Sequence, residues 1–108
     1  MQIEQREYRR VPAVCHYSLE IEGRLHFGQT GNISLGGVYL ASCSPCVPND
    51  ALGKRGKIHL AVGTKLLELD CVIAYSNGTP ARDGVGIRFE KVQNRHYAYL
   101  EKYITESA

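Results

Sequence analysis

The sequence predicts a small antiparallel β domain, either a barrel or a sandwich, with one helix near its C-terminal end. Apolar residues occupy every second position in several short segments separated by turn residues, and helical spacing occurs only close to the end of the chain. The chain has 108 residues, of which 44% are hydrophobic and 22% are charged. That composition is sufficient for one domain with its own core, and it excludes extensive disorder.

The individual strands follow from alternation with a period of two. Glu22-Gly23 is typical of a tight hairpin turn after the first strand. Two segments rich in turn-forming residues, 42–56 and 76–84, are predicted to be loops. In the fifth strand the alternation places Tyr75 on the same face as Leu67. The predicted strands are 13–21, a strand that begins at Leu25 and Phe27, 38–41, 58–62, 67–75 and 85–89.

The last segment has helical spacing. Tyr97, Leu100 and Ile104 lie at positions i, i+3 and i+7, and Asn94 is a suitable N-cap. We expect one amphipathic helix over about 94–104 that packs against the β core. Residues 11–108 then form a single domain, preceded by an arm at 1–10.

The charge balance disfavours a long polyanionic partner. Thirteen Lys and Arg stand against 11 Asp and Glu, which gives a net charge of +2. The first residues do not have the apolar centre of a signal peptide, and no apolar run approaches the roughly 20 residues that span a bilayer. We therefore expect a cytoplasmic protein that does not insert into a membrane.

The cysteines do not form a recognisable site. Cys43-Ser44-Pro45-Cys46 has CxxC spacing, but the residues after it predict a loop rather than the helix N-terminus that lowers a thiolate pKa. Cys15 and Cys71 are single, and no second CxxC supplies the remaining ligands of a zinc site. Free thiols are expected, with a redox or metal role of Cys43 and Cys46 kept as an open alternative.

No catalytic constellation is visible. The sequence has no nucleophile–base pair, carboxylate pair or metal-ligating cluster at the spacing of a catalytic motif. We therefore expect a protein that is not an enzyme and needs no cofactor.

An arginine cluster precedes the first strand, at Arg6, Arg9 and Arg10. A guanidinium group can form two hydrogen bonds with guanine O6 and N7, stack on a purine, and neutralise a phosphate. The arm that carries these arginines has few apolar residues, so we expect it to be flexible without a ligand. Such a cluster alone is also typical of a solvated arm.

A second polar segment lies where the second strand leads into the third. In Asn32-Ile33-Ser34 alternate side chains point the same way, so an amide and a hydroxyl converge on one ligand edge. Gly36 and Gly37 complete the candidate site, and Gly37 allows either a positive φ or the close approach of a ligand. Alone, this segment is more often turn chemistry.

Together the two segments resemble the PilZ domain, the bacterial receptor module for cyclic di-GMP. The family signature is RxxxR followed by (D/N)xSxxG, and the chain has Arg6-Glu7-Tyr8-Arg9-Arg10 and Asn32-Ile33-Ser34-Leu35-Gly36-Gly37 in that order. Arg10-Val11-Pro12, and the closing strand from Asp83 to Phe89, are also similar to the family. The resemblance spans about residues 5–104.

The resemblance implies a six-stranded antiparallel, split β-barrel with a C-terminal helix. It implies that Arg6 and Arg10 hold a guanine and a phosphate of cyclic di-GMP, with Arg9 as a helper. Asn32 and Ser34 would hold a second guanine edge and phosphate. Because an amide offers one acceptor oxygen where aspartate offers two, binding through Asn32 is expected to be weaker. The implied function is that of a receptor whose nucleotide-bound surface is recognised by an unidentified effector protein.

Two other classes are weighed against this function. Some PilZ domains are protein-interaction modules of pilus or motility systems that bind no nucleotide, and the intact arginines and Asn32-x-Ser34 disfavour that class. A small barrel with aromatic and arginine side chains could also bind single-stranded nucleic acid. The small net charge, and tyrosines in core positions, favour a protein with no DNA or RNA partner.

Overall fold

The computed structural model describes residues 9–76 and 84–107, which form seven strands and one helix. Residues 1–8 of the expected arm, and 77–83 of the expected loop at 76–84, lie outside the described residues. A short 3-10 turn, Asn49–Ala51, lies between the fourth and fifth strands. The elements are β1 Val11–Pro12, β2 His16–Ile21, β3 Arg24–Ile33, β4 Gly37–Leu40, β5 Arg55–Val62, β6 Lys65–Ser76, β7 Val85–Glu90 and α1 Asn94–Ser107.

Six of these strands close into an antiparallel barrel. The order around the ring is β3-β2-β5-β6-β7-β4, and β4 returns to pair with β3. The two-residue β1 pairs with the end of β3 through Val11 and Ile33 and stays outside the ring. Closure pairs the edge strands with each other. The six-stranded antiparallel barrel with a C-terminal helix is thus confirmed.

The strand predicted at 13–21 begins only at His16, and residues 13–15 separate β2 from the two-residue β1. The buried Thr30 hydroxyl donates to the Ala13 carbonyl at 2.6 Å and accepts from the Cys15 N–H at 2.9 Å. Because these bonds occupy the backbone between the two strands, β1 and β2 pair with β3 on the same side but do not run on as one strand.

The hairpin turn predicted at Glu22-Gly23 is present, whereas the predicted loop at 42–56 is shorter than expected. Glu22 and Gly23 both have a positive φ, 52° and 80°, which suits the tight turn of a β2–β3 hairpin. The loop predicted at 42–56 ends earlier, because β5 begins at Arg55, opposite Val72 of β6.

The first half of β3 has the opposite phase from the one its apolar residues suggest. His26 is buried, whereas Leu25 and Phe27 are 52% and 51% exposed. The His26 Nδ1–H donates to the Pro45 carbonyl at 2.6 Å. Backbone hydrogen bonds in both directions between Phe27 and Ser44 fix this phase.

The helix α1 packs against the barrel through its apolar face. Leu100 and Ile104 are buried in the common core, and the Tyr99 hydroxyl donates to the Val62 carbonyl at 2.8 Å. The predicted amphipathic helix is present but runs to Ser107. Asn94 is its first residue rather than its N-cap.

Candidate functional site

A cleft of about 290 Å³ lies on the outer surface of the barrel, where β3, β4, β7 and β6 adjoin. Its lining includes five of the seven predicted site residues: Arg10, Asn32, Ser34, Gly36 and Gly37. Arg9 is exposed and does not line the cleft, and Arg6 lies outside the described residues. Arg10, which precedes β1, and the segment 32–37, which follows β2 and most of β3 along the chain, therefore meet at one surface.

A β-bulge in β3 turns Asn32 toward the cleft. Thr30 pairs with Leu40 and Asn32 pairs with Tyr39, so Gly31 is an extra residue in β3. Without the bulge, Thr30 and Asn32 would share a face. Thr30 is instead buried while Asn32 is half-exposed. Bulges commonly re-aim side chains beside functional sites.

A second bulge, in β6, acts in the same way on Tyr75. Ile73 pairs with Ile87 and Tyr75 pairs with Gly86, so Ala74 is the extra residue. Ile73 is buried, whereas Tyr75 is 44% exposed. The prediction that Tyr75 continues the core face of this strand is therefore wrong. Four adjacent strands contribute one row to the cleft: Asn32, Tyr39, Gly86 and Tyr75.

Ser34 stabilises the turn between β3 and β4. Its Oγ accepts hydrogen bonds from the N–H groups of Gly36 and Gly37, at 3.1 and 3.2 Å, and donates to the Gly37 carbonyl at 3.3 Å. Its own N–H donates to that carbonyl at 2.8 Å. Ser34 is only 7% exposed. The hydroxyl is thus engaged within the turn and shapes the wall of the cleft.

Gly37 is needed for the packing of β4 against β7. A Cβ at this position would overlap the Ile87 carbonyl oxygen. Gly37 is not one of the positive-φ residues in the described part of the chain, so a left-handed backbone is not the reason for this glycine. Close approach is the reason, and here the approaching group is the neighbouring strand.

Two tyrosines supply the aromatic surface of the cleft. The rings of Tyr39 and Tyr75 have their centroids 6.4 Å apart and their planes inclined by 30°. The Tyr75 ring lies against Gly86, where any Cβ would overlap it. The glycine therefore lets this ring lie along β7, next to the partly buried Tyr39.

The polar groups of the cleft are suited to an anionic ligand. Arg10 and Arg88 line it, both are exposed, and neither has an acidic partner within residues 9–76 and 84–107. Over the same residues, the Asn32 side chain forms no hydrogen bond. Two guanidinium groups and one amide are thus free to bind a ligand.

Comparison with known proteins decides the family. The model of the PilZ domain matches residues 4–106. The chain belongs to the PilZ family. No curated protein sequence matches this PilZ domain.

Solved structures share the fold of this PilZ domain at low sequence identity. The Bacillus subtilis inhibitor of motility, MotI/DgrA, has a TM-score of 0.78 at 16% identity, covering 98% of this chain and 52% of that one. The PilZ domain of YcgR from Escherichia coli with cyclic di-GMP gives 0.73 at 16%, covering 96% and 92%. The PilZ domain of CeSA from a cellulose-synthesizing bacterium gives 0.68 at 14%, covering 91% and 96%. The chain thus spans about half of the Bacillus protein.

Three large side chains of the cleft were not among the predicted site residues: Tyr39, Tyr75 and Arg88. Tyr39 follows the glycine turn by two residues, and Arg88 lies in the family-like closing strand, so both had a local signal. Tyr75 had none, because strict alternation assigned it to the core.

The cysteines lie outside the cleft. Cys46 is exposed, and Cys15, Cys43 and Cys71 are buried. Burial is the main cause that raises the pKa of the Cys71 thiol to about 12. In the described part of the chain, no three His, Cys, Asp or Glu side chains are grouped so that they could hold a metal ion. None of its helices has the length and apolar character needed to cross a membrane.

Proposed function

We propose that this PilZ domain is a receptor for cyclic di-GMP that transmits nucleotide binding to a partner protein. The observation that carries the proposal is the meeting of Arg10, Asn32 and the 34–37 turn at one cleft beside two tyrosines. The PilZ domain of YcgR, which has the same fold, has been solved with this nucleotide.

Each chemical part of the ligand has a counterpart in the cleft. Cyclic di-GMP carries two guanines and two phosphodiesters, each phosphodiester with one negative charge. Arg10 can pair with a guanine edge or a phosphate, and the Asn32 amide can pair with a second guanine edge. Tyr39 and Tyr75 offer ring faces on which a purine can stack, a contact worth about 1–3 kcal/mol per base.

We further propose that nucleotide binding orders the arm of residues 1–10 over the cleft. Arg6, Arg9 and Arg10 would then contact the ligand together. Fixing the backbone of residues 6–10 costs roughly 5–10 kcal/mol at about 1–2 kcal/mol per residue. Charge-assisted hydrogen bonds at about 1.5–3 kcal/mol each, together with stacking, can exceed that cost. A net value near −8 kcal/mol corresponds to a Kd of about 1 μM.

The ordered arm would change the surface that a partner protein contacts. In the described part of the arm, Arg9 and Arg10 are exposed and form no ion pair with the barrel. Because no ion pair with the described residues holds these two side chains beside β1, a bound ligand can determine their orientation. The partner is proposed to recognise this ligand-dependent surface.

Isothermal titration with cyclic di-GMP tests the receptor function. Wild type should bind, and Arg10→Ala should bind about 10- to 100-fold more weakly, because a charge-assisted contact is lost. Arg24→Ala is the matched control, since Arg24 is an exposed arginine at the start of β3 that does not line the cleft. Equal affinity of wild type and Arg10→Ala would contradict the assignment of the cleft.

Two further outcomes separate the parts of the proposal. NMR signals of residues 1–10 that keep the relaxation of a mobile chain after saturation would refute arm ordering while leaving the receptor function in place. A wild-type protein that shows no amide shifts with cyclic di-GMP would refute the receptor function. It would leave a PilZ-type protein-interaction module.

A further inference from the structure

Three backbone N–H groups of the glycine turn, those of Ser34, Gly36 and Gly37, are used within the turn itself. Glycine-rich turns often bind phosphate through outward N–H groups. Here the N–H groups of Gly36 and Gly37 both point to Ser34 Oγ, at 3.1 and 3.2 Å, and the Ser34 N–H points to the Gly37 carbonyl. Neither glycine N–H is therefore directed at a ligand, and the positive charge of the cleft comes from its arginine side chains.

Arg88 is the cation that the barrel itself places at the cleft. It projects outward from β7, opposite Gly37 of β4 on one side and Val72 of β6 on the other. Arg55 lies in the same row of the sheet two strands away, and its Nε–H donates to Glu90 at 2.9 Å. Arg88 has no such acidic partner within the described residues, so its guanidinium group is available to a ligand.

Arg88 and Arg10 line the cleft on opposite sides of the 34–37 turn. Arg10 immediately precedes β1, and β1, β3, β4 and β7 are successive neighbours. Three strand spacings of about 4.8 Å separate the positions of Arg10 and Arg88 by roughly 14 Å along the curved sheet. A ligand between them can contact Arg10 on one side and Arg88 on the other.

We propose that Arg88 binds the phosphodiester of cyclic di-GMP that faces away from Arg10, so that Arg10 and Arg88 each neutralise one of the two negative charges. This inference rests on the proposed receptor function and adds a binding residue outside the two sequence motifs. An arginine suits the role because its planar guanidinium group can donate two parallel hydrogen bonds to one phosphate. The arm then binds a ligand that the barrel has already positioned.

The inference is tested by titrating cyclic di-GMP into wild type, Arg88→Gln and Arg88→Lys, with Arg24→Ala as the control for charge. Glutamine keeps an aliphatic stem and a polar end beside the buried Val72, so the fold should be retained. Arg88→Gln should lower the affinity about 10- to 100-fold. Arg88→Lys, which keeps the charge but not the paired donors, should lower it less. Thermal unfolding of each variant shows whether the barrel is intact.

A second ligand makes the test specific to the number of phosphates. GMP has one phosphate and one base, so the arm side of the cleft can satisfy it alone. Arg88→Gln should therefore weaken binding of GMP less than binding of cyclic di-GMP, whereas Arg10→Ala should weaken both.

The outcomes distinguish this inference from the proposed function. If wild type binds, Arg10→Ala binds weakly, and Arg88→Gln matches wild type within twofold, then the role of Arg88 is wrong and the receptor function stands. If wild type does not bind cyclic di-GMP, both proposals are wrong. A large loss for Arg88→Gln with an unchanged Arg24→Ala supports the role of Arg88.

Discussion

Replacing Ser34 with alanine is expected to destabilise the barrel as well as to weaken nucleotide binding. The hydroxyl accepts from two backbone N–H groups and donates to one carbonyl in the turn that forms the wall of the cleft. In Ser34→Ala the N–H groups of Gly36 and Gly37 lose their acceptor, while the Ser34 N–H can still reach the Gly37 carbonyl.

The loss of stability follows from the two hydrogen bonds that Ser34 Oγ accepts. Both glycines are half-exposed, so water can replace part of what is lost. At about 0.5–1.5 kcal/mol for each hydrogen bond, the free energy of unfolding should fall by about 1–3 kcal/mol. For a chain of this length the unfolding midpoint should drop by about 4–12 °C.

Asn32→Ala is the matched comparison. The Asn32 side chain lines the same cleft but forms no hydrogen bond with the described residues, so its loss should change stability by less than about 0.5 kcal/mol. The assay is thermal unfolding by circular dichroism, followed by titration with cyclic di-GMP below the midpoint. Both variants should bind weakly, but only Ser34→Ala should melt early.

A Ser34→Ala protein that melts at the wild-type temperature and yet loses binding would contradict the structural role of the Ser34 hydroxyl. That result would make the Ser34 hydroxyl a direct contact to the nucleotide. An early-melting Asn32→Ala would show that its amide is part of the fold.

Three further predictions follow from the packing and the thiols. Gly86→Ala should reduce binding with little loss of stability, because the Tyr75 ring that the new Cβ meets can move into solvent. Gly37→Ala should lower the free energy of unfolding by about 1–3 kcal/mol, because its Cβ meets the Ile87 backbone carbonyl. Urea unfolding and titration with cyclic di-GMP distinguish the two variants. Because the pKa of Cys71 is raised, the folded state keeps a thiol proton that the unfolded state loses between pH 9.0 and about 12. The free energy of unfolding should therefore fall over this range, by at most about 1.4 kcal/mol per pH unit. Urea unfolding should show a shallower fall for Cys71→Ala. Cys46 should be the first thiol that iodoacetamide modifies in the folded protein, as mass spectrometry can check; early modification of Cys71 would contradict its burial.

The local patterns of the sequence were reliable where one physical constraint acts alone. Alternation placed most of the strands because one face of each strand must be buried. The helix followed from the spacing of Leu100 and Ile104, which are indeed in the core. Arg10 and Asn32 were selected for their chemistry, and both line the cleft.

Alternation failed where a bulge changes the phase of a strand. The bulges in β3 and β6 each turn the following side chain, Asn32 or Tyr75, outward to line the cleft. Tyr75 was therefore placed in the core although it lies on the surface. A single sequence does not show a bulge, because the extra residue is defined only by the pairing of two strands.

The sequence by itself determined the fold class, most of the strands, the C-terminal helix and the residue types suited to binding an anion. Only the tertiary structure decided which of those side chains line the cleft without a partner among the described residues and which are bonded within its walls. The Ser34 hydroxyl is bonded within its own turn, while Arg88, far from both motifs along the chain, lines the cleft. The physical reason is that hydrogen-bond direction and strand adjacency depend on chain closure. Closure brings β4 beside β7 and makes one surface from segments that are distant in sequence.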